Sequence, residues 1–367
     1  MADGSAAELC RSDRLEIIHQ VGTPSSPPCI RTYTHLKNIM RRLIILGASA
    51  SLAALAACSD VSEFYTAGEY QFAMQVDTFP REFMMHVPAD LDPDVPAPLL
   101  FVIHGTGSNG KSTQIVGELD RFADAAGVIT VYPEAYSIGA LHAWASPATL
   151  GFEAGVDDRK FFNMMIDRVT AEMNIDESRI FIAGISNGGL LSQWVGCNLN
   201  DRLLGFASVA ATALLEISDN CAPTRAIPSL FFLGTDDPIF WWVGLAGEGF
   251  EVISAEATVA RYAELNACST AFDLDSLPNP VPHDSTSVRL WQYSNCTDGT
   301  QVLMYGVDGG SHTWPGSPYE APLLGCTTRD IHASQIIVDF LLSGGTAVPP
   351  NTAAGDLNSR GCEKPVT

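Results

Sequence analysis

Lysine is scarce in this sequence: only four of its 367 residues are lysine, and acidic residues outnumber basic ones 42 to 20. The formal net charge is −22. Nucleic-acid-binding proteins use lysine and arginine to contact phosphates, so this deficit argues against such a partner. Hydrophobic residues make up 46% of the chain, which excludes wholesale disorder and allows a substantial core.

Long apolar runs are also scarce. Residues 43–54 form an uncharged apolar run that is too short to span a bilayer as a mature helix. It follows the basic start Met40-Arg41-Arg42 and ends in small residues, which is typical of an export signal. Residues 55–58, Leu-Ala-Ala-Cys, resemble a bacterial lipobox, and this implies that Cys58 becomes a lipidated mature N-terminus. The alternative is a soluble secreted protein cut after an Ala-x-Ala site.

These features divide the chain into four segments. Residues 1–39 are interpreted as an upstream or non-native segment, and residues 40–58 as a lipoprotein signal peptide. Residues 59–345 are predicted to form the main domain, and residues 346–367 a loose C-terminal tail. We expect an exported protein, periplasmic, extracellular or anchored in the outer membrane, that meets a membrane only through the lipid at Cys58. The sequence carries no signal for an oligomeric state.

The cysteines show no CxxC spacing and no cluster with histidine, so a zinc site is not expected. Six of the nine cysteines follow the predicted signal peptide, an even number in an exported and therefore oxidising setting, which favours disulfides. Pairing nearest neighbours gives Cys197–Cys221, Cys268–Cys296 and Cys326–Cys362.

Between residues 60 and 345, apolar runs alternate with stretches of helical spacing. An antiparallel pair is predicted at 71–76 and 82–87. Further strands are predicted at 99–103, 128–132, 179–183, 230–233, 288–293 and 301–307. Helices are predicted at 161–173, from 186 onward, at 257–266 and at 331–342. This alternation predicts an α/β fold with a mostly parallel central sheet covered by helices on both faces.

The motif with the clearest chemistry is Gly184-Ile185-Ser186-Asn187-Gly188, which lies between a predicted strand and a predicted helix. In this context G-x-S-x-G forms a sharp turn that lifts the serine hydroxyl above the sheet. The glycines are needed because the adjoining strand and helix leave no room for Cβ atoms. The helix N-terminus favours negative charge at the attacked carbonyl. Ser186 is therefore the predicted nucleophile.

A serine nucleophile needs a base, and three histidines follow it. His312 comes after the predicted strand 301–307, at the edge of the sheet where catalytic groups collect. His283 lies in a proline-rich loop, and His332 begins the last helix, where packing or capping is more typical. His312 is therefore the predicted base.

The acid should follow a strand between the nucleophile and the base. Strand 230–233 leads into Asp236 and Asp237, and either could orient an imidazole. The spacing alone does not separate the two. An oxyanion would need two backbone amides, and we predict those of Asn187 and of Thr106, in the loop after strand 99–103. His104 in the same loop is expected to brace it.

Five segments, residues 104–106, 156–158, 184–189, 234–238 and 309–316, resemble the polyhydroxybutyrate depolymerase and feruloyl esterase-like branch of the α/β-hydrolases, which includes LpqC-type lipoproteins. The resemblance implies an α/β-hydrolase fold and supports the Cys268–Cys296 pairing. It also implies Asp237, the residue before proline, as the acid. Ser311 departs from the family's third glycine, and Phe240-Trp241-Trp242 replaces the usual Val-Pro-Tyr; this affects the expected substrate more than the chemistry.

Aromatic residues cluster near the predicted acid. Phe240, Trp241 and Trp242, with Phe250 beyond them, are predicted to form an apolar lip for an aromatic acyl group or a polyester chain. The alternative is that they form core beneath a loop. Trp144 and Trp314 are further candidates for the pocket wall.

Together these residues predict a serine carboxylic-ester hydrolase with the triad Ser186, His312 and Asp237 and no metal or organic cofactor. The resemblance places hydrolysis of polyhydroxyalkanoate or another polyester first and hydrolysis of feruloyl esters second. An acyltransferase using the same machinery, and a non-catalytic surface lipoprotein with a vestigial triad, are the alternatives from other classes.

Overall fold

The computed structural model describes residues 17–20, 65–139, 141–147, 149, 152, 154–247, 251–319 and 324–350. The predicted lipidation site Cys58, the aromatic Phe250 and the cysteine Cys362 lie outside these ranges. The signal peptide, the lipid anchor and the four segment boundaries therefore stay predictions.

A large twisted sheet forms the centre of the described domain. Its strands are β1 (Ile17–Gln20), β2 (Gly68–Val76), β3 (Phe79–Val87), β4 (Ala97–Ile103), β5 (Ile129–Pro133), β8 (Ile175–Ile185), β9 (Gly205–Val209), β10 (Ser229–Gly234), β11 (Phe272–Ser276), β12 (Ser287–Tyr293) and β13 (Val302–Asp308). Two short strands, β6 (Ser137–Ile138) and β7 (Leu141–His142), pair with each other apart from it.

The sheet order is β1-β2-β3-β5-β4-β8-β9-β10-β13-β12-β11. Strands β5, β4, β8, β9, β10 and β13 run parallel, and antiparallel strands extend the sheet on both sides. Because parallel strands end at the same edge, the loops after β4, β8, β10 and β13 meet there. Those four loops carry the predicted oxyanion, nucleophile, acid and base residues.

Helices cover both faces of the sheet. They are α1 (Gly110–Gly117), α2 (Leu119–Ala126), α3 (Asp158–Glu172), α4 (Asn187–Asn198), α5 (Leu215–Asp219), α6 (Ala255–Leu265) and α7 (Ala333–Leu342). Helices α3, α4 and α6 pack into the hydrophobic core on one face, and α2 and α7 into the core on the other. Within β4, Leu99 and Phe101 join the first core while Leu100 joins the second, as the alternation of a buried strand requires.

The predicted α/β-hydrolase fold is therefore confirmed: a mostly parallel sheet carries helices on both faces, and a sharp strand–turn–helix unit lies at its centre. Among the described residues, none of the helices combines the length and the apolar character needed to cross a bilayer.

The disulfides follow the nearest-neighbour scheme wherever the structure describes both cysteines. Cys197 is bonded to Cys221, which joins the end of α4 to the loop after α5. Cys268 is bonded to Cys296, which joins the loop after α6 to the loop after β12. Both predicted pairings are confirmed. Cys326 is also disulfide-bonded.

Several elements differ from the sequence prediction. Helices α1 and α2 and strand β9 are not anticipated, and β8 is longer than predicted. Helix α1 begins and ends with glycine, which weakens its helical signal, but the Asn109 side chain caps it by accepting from Ser112 N at 2.8 Å. In the predicted tail, Val348 packs against the core that contains α7. Residues 17–20, from the segment interpreted as upstream, form edge strand β1 and pair with β2.

Candidate active site

Ser186 occupies the turn between β8 and α4 in a backbone conformation that side chains rarely adopt. Its φ is 58° and its ψ is −125°. Its amide donates to the Val209 carbonyl of the neighbouring strand at 2.9 Å, and its carbonyl accepts from Leu190 N at 3.0 Å. A strained residue persists only where its surroundings fix it, and such residues cluster at functional sites.

The glycines beside Ser186 are there for steric reasons. A Cβ at Gly184 would overlap the Gly188 carbonyl, and a Cβ at Gly188 would lie 2.5 Å from the carbonyl oxygens of Ile103 and His104. Helix α4 therefore packs directly against the end of β4, as the motif predicts. The close approach holds the loop after β4 beside the serine.

His312 lies in the loop after β13 and contacts a buried carboxylate. Its Nδ1 lies 2.9 Å from Asp237 Oδ2, and the two side chains are only 5% and 2% exposed. The neighbouring Asp236 is exposed, and its Oδ1 accepts from Thr235 Oγ1 at 3.3 Å. The structure thus places Asp237, the residue before proline, on the imidazole.

The second oxygen of Asp237 is fixed by the backbone. Asp237 Oδ1 accepts from Ile239 N at 2.8 Å and from Phe240 N at 2.9 Å. The carboxylate therefore caps its own turn with one oxygen and holds His312 with the other. Ser311, the departure from the family pattern, donates from Oγ to the Asp236 carbonyl at 3.1 Å and so links the acid and base loops.

Ser186 and His312 line the same cavity, of about 630 Å³. They do not hydrogen-bond directly to each other. Such contacts are often long in proteins without substrate and tighten when substrate binds. The cavity opens at the carboxyl edge of the sheet, between the loops after β4, β8, β10 and β13.

Thr106 and Asn187 line this cavity beside Ser186. Within the described part of the chain, the backbone amide of neither residue donates a hydrogen bond to another residue. Asn187 is the first residue of α4, so its amide also lies at the positive end of the helix. Two free amides beside a serine can hold a developing oxyanion.

His104 braces the loop that carries Thr106. Its Nε2 accepts from Ala135 N at 3.1 Å, so Nδ1 carries the proton and donates to the Gly105 carbonyl at 2.7 Å. Burial lowers the pKa of His104 to about 4. The neutral ring is therefore a structural element of the loop.

The predicted substrate-binding aromatics divide into two groups. Phe240 and Trp314 line the cavity, and the Phe240 ring lies parallel to His312 at a centroid distance of 6.0 Å. Trp144, Trp241 and Trp242 do not line it.

Each of these three tryptophans lies elsewhere in the fold. Trp144 is fully buried and donates from its indole N–H to the His104 carbonyl at 2.8 Å. Trp241 is 45% exposed and donates from its indole N–H to the Pro238 carbonyl, and Trp242 packs against Trp291. Of the five predicted substrate-binding aromatics, the structure therefore brings Phe240 and Trp314 to the cavity and places Trp144, Trp241 and Trp242 away from it.

The sequence reasoning misses most of the apolar wall. The cavity is also lined by Val116, Leu141, Leu190, Ile239 and Leu324. These residues come from α1, β7, α4 and two loops, and no local motif marks them. Of these five residues, only Ile239 could have been proposed from the sequence, because it lies two residues after the predicted acid.

Glu69, His86 and Asp120 lie close enough together, outside the cavity, to hold a metal ion. The two carboxylates already accept hydrogen bonds from Lys111, Gln114, Thr130 and Tyr132. We assign no ion to this cluster.

No family model matches the sequence. The chain is similar to NocK of Nocardia uniformis subsp. tsuyamanensis, which is named as an esterase, with 29% identity over 72% of this chain and 80% of NocK. It is 25% identical to feruloyl esterase B of Piromyces equi over 63% of this chain and 42% of that protein, so it matches less than half of that relative's length. A solved feruloyl esterase module from Clostridium thermocellum superposes with a TM-score of 0.48, 12% identity, and coverage of 77% of this chain and 89% of the module.

Proposed function

We propose that this protein is a serine carboxylic-ester hydrolase. One observation carries the proposal: a single cavity is lined by a strained serine, a histidine held by a buried carboxylate, and two residues with free backbone amides. These are the parts that acyl transfer through a covalent serine intermediate requires. The names of the relatives, NocK and feruloyl esterase B, support the same reaction class.

In the proposed mechanism Asp237 sets the tautomer of the base. With its Nδ1 proton donated to Asp237, His312 has its Nε2 lone pair available for the Ser186 hydroxyl proton. Ser186 Oγ then attacks the ester carbonyl carbon, and the carbonyl oxygen becomes an oxyanion. The amides of Thr106 and Asn187 hold that oxyanion.

Collapse of the tetrahedral intermediate breaks the bond to the alcohol, and His312 returns its proton to the departing oxygen. The acyl group remains on Ser186 as an ester. A water molecule then attacks the acyl carbon while His312 takes one of its protons. A second collapse releases the carboxylic acid and returns that proton to Ser186.

The cavity favours an acyl group larger than acetyl. Its volume of about 630 Å³ lies within the range of sites for drug-sized ligands, and its walls are mainly apolar, with Phe240 and Trp314 among them. An aromatic acyl group would stack on such walls. We therefore propose a hydroxycinnamoyl ester as the substrate class. A polyhydroxyalkanoate or other polyester, which the sequence resemblance places first, is the second candidate.

Export is part of the proposal. Disulfides persist in oxidising compartments, and the pairs Cys197–Cys221 and Cys268–Cys296 support such a location. A lipid anchor at Cys58 would hold the enzyme at a membrane surface.

The test is a panel of substrates: short nitrophenyl esters, methyl ferulate, acetylated xylan and emulsified polyhydroxybutyrate. We expect hydrolysis of the nitrophenyl esters and methyl ferulate, and loss of both activities in Ser186→Ala. Ser343→Ala, which changes a serine at the end of α7, is the matched control and should keep full activity. Ester hydrolysis that survives in Ser186→Ala would refute the proposal, and polyester turnover exceeding that of methyl ferulate would reverse the order of substrates.

Two further measurements address the rival functions. An added alcohol should leave the free acid as the main product; a predominant new ester would indicate an acyltransferase. Fluorophosphonate should label the wild-type protein and fail to label Ser186→Ala. Folded wild-type protein that takes no label would indicate a non-catalytic lipoprotein.

A further inference from the structure

Residues 142–144 contact both parts of the proposed oxyanion hole, the loop that carries Thr106 and the side chain of Asn187. The His142 carbonyl accepts from Gly107 N at 2.9 Å, and the Trp144 indole N–H donates to the His104 carbonyl at 2.8 Å. The backbone N–H of Trp144 donates to the Asn187 side-chain oxygen at 2.7 Å. Trp144 therefore joins the loop that carries one oxyanion donor to the residue that carries the other.

The hydrogen bond between Trp144 and His104 also affects the orientation of the Thr106 amide. The Gly105 carbonyl and the Thr106 N–H belong to one peptide group, and His104 Nδ1 donates to that carbonyl at 2.7 Å. The orientation of His104 thus sets the plane of the peptide that holds the Thr106 donor. Trp144 in turn fixes His104, both through its carbonyl and through ring contact at a centroid distance of 5.0 Å.

The backbone next to Trp144 is fixed by a buried ion pair. The amide of the next residue, Ala145, donates to Asp158 Oδ2 at 2.6 Å, and Asp158 Oδ1 lies 2.6 Å from Arg81 Nη1. The guanidinium of Arg81 lies 3.9 Å from the centroid of the Phe161 ring. Since both charged side chains are fully buried, this anchor joins β3 to the start of α3 without exposure to water.

We propose that Trp144 is a positioning residue that fixes the two oxyanion donors, Thr106 N and Asn187 N, relative to each other. This inference rests on the proposed esterase function. Trp144 does not line the cavity, so its effect reaches the substrate only through His104 and Asn187. Donors act on an oxyanion only over a narrow range of distances, so a small displacement of either amide lowers the rate of the chemical step.

The first test is Trp144→Phe, which removes the indole N–H while keeping an aromatic ring and the backbone bond to Asn187. We expect kcat on a nitrophenyl ester to fall about 10- to 100-fold with KM changed by less than about 2-fold. The affinity for a trifluoromethyl ketone, which forms an oxyanion on Ser186, should fall by the same factor as kcat/KM. The affinity for the product acid should not change. Equal losses for both ligands would indicate a general disturbance of the site and overturn the inference.

Tyr70→Phe is the matched control. Tyr70 in β2 also donates from an aromatic side chain to a backbone carbonyl, that of Thr66, at 2.8 Å. Both variants should lower the thermal midpoint by a few degrees, since each leaves a carbonyl without its donor. Only Trp144→Phe should lower kcat. A loss of kcat in both variants would assign the effect to stability.

A second variant keeps the test decisive if Trp144→Phe does not fold. Asn187→Ala removes the acceptor of the Trp144 backbone N–H and keeps the Asn187 amide itself, so it should also lower kcat at unchanged KM. Where all the proteins fold, the loss in the double variant should be smaller than the product of the single losses, because both bonds support one geometry. Wild-type kcat in Asn187→Ala and in any folded Trp144→Phe, together with an inactive Ser186→Ala, would overturn the positioning role and leave the esterase proposal standing. Activity in Ser186→Ala would overturn both.

Discussion

Replacing Asp237 with asparagine should invert the tautomer of His312. Asp237 Oδ1 accepts from two backbone amides, at 2.8 and 2.9 Å, so an asparagine must keep its oxygen in that position. Its NH₂ group would then face His312 Nδ1, where Asp237 Oδ2 now lies at 2.9 Å. The imidazole would have to accept at Nδ1 and carry its proton on Nε2. A ring in that form cannot take the proton of Ser186.

The expected loss follows from that inversion. A wrong tautomer behind an intact binding site costs about 10⁴-fold in kcat, which corresponds to about 5.5 kcal/mol in the activation barrier. Because both side chains are buried, water cannot replace the lost acceptor. KM should change little, since Asp237 does not line the cavity.

The assay is steady-state hydrolysis of a short nitrophenyl ester by Asp237→Asn, with Asp236→Asn as the matched control. Asp236 is exposed, and His312 Nδ1 lies on the carboxylate of Asp237, so the Asp236 variant should stay within about 3-fold of the wild type. Asp237→Asn that keeps more than a tenth of wild-type kcat, or an equal loss in Asp236→Asn, would refute the assignment of the acid.

Two further predictions concern the scaffold of the site. Gly188→Ala should destabilise the fold by about 3 kcal/mol or more in urea unfolding, because its Cβ would lie 2.5 Å from two carbonyl oxygens of the loop after β4. Gly127→Ala, whose Cβ would meet no atom within 4 Å, should cost only about 1 kcal/mol for its positive φ, and an equal cost at both positions would contradict the steric argument. The pKa of about 4 for His104 lies below its usual value of 6.5. Between these two pH values the unfolded chain therefore binds a proton that the folded chain does not. The free energy of unfolding should consequently fall by about 3 kcal/mol as the pH is lowered from 6.5 to 4. His104→Gln should remove that part of the pH dependence of urea unfolding, and an unchanged pH profile would refute the neutral buried ring.

The parts of the site that the sequence predicts well are those set by neighbours along the chain. Ser186 is marked by the glycines that its turn requires, and His312 by its place after a strand of the parallel sheet. The choice between Asp236 and Asp237 is not local, because both follow β10. It depends on which side chain turns inward to the base, and the two amides that hold Asp237 Oδ1 decide that.

The walls of the cavity depend on distant contacts. Leu141 reaches it from β7 and Leu324 from a loop, two segments that the sequence does not relate to each other, and Val116 reaches it from a helix that begins and ends with glycine. The same limit applies to β9, whose five residues give little signal alone and are stabilised by pairing with β8 and β10.

The tryptophans show why an aromatic residue near an active site is difficult to assign from sequence. An indole has a large apolar face that can form a wall and one N–H that must find an acceptor when buried. Trp314 meets both demands at the cavity, with its N–H 3.0 Å from Ser334 Oγ behind it. Both rings pack in a hydrophobic core, but Trp144 uses its N–H on the His104 carbonyl and does not line the cavity. Which role a tryptophan takes is therefore decided by where an unpaired acceptor lies in the folded chain.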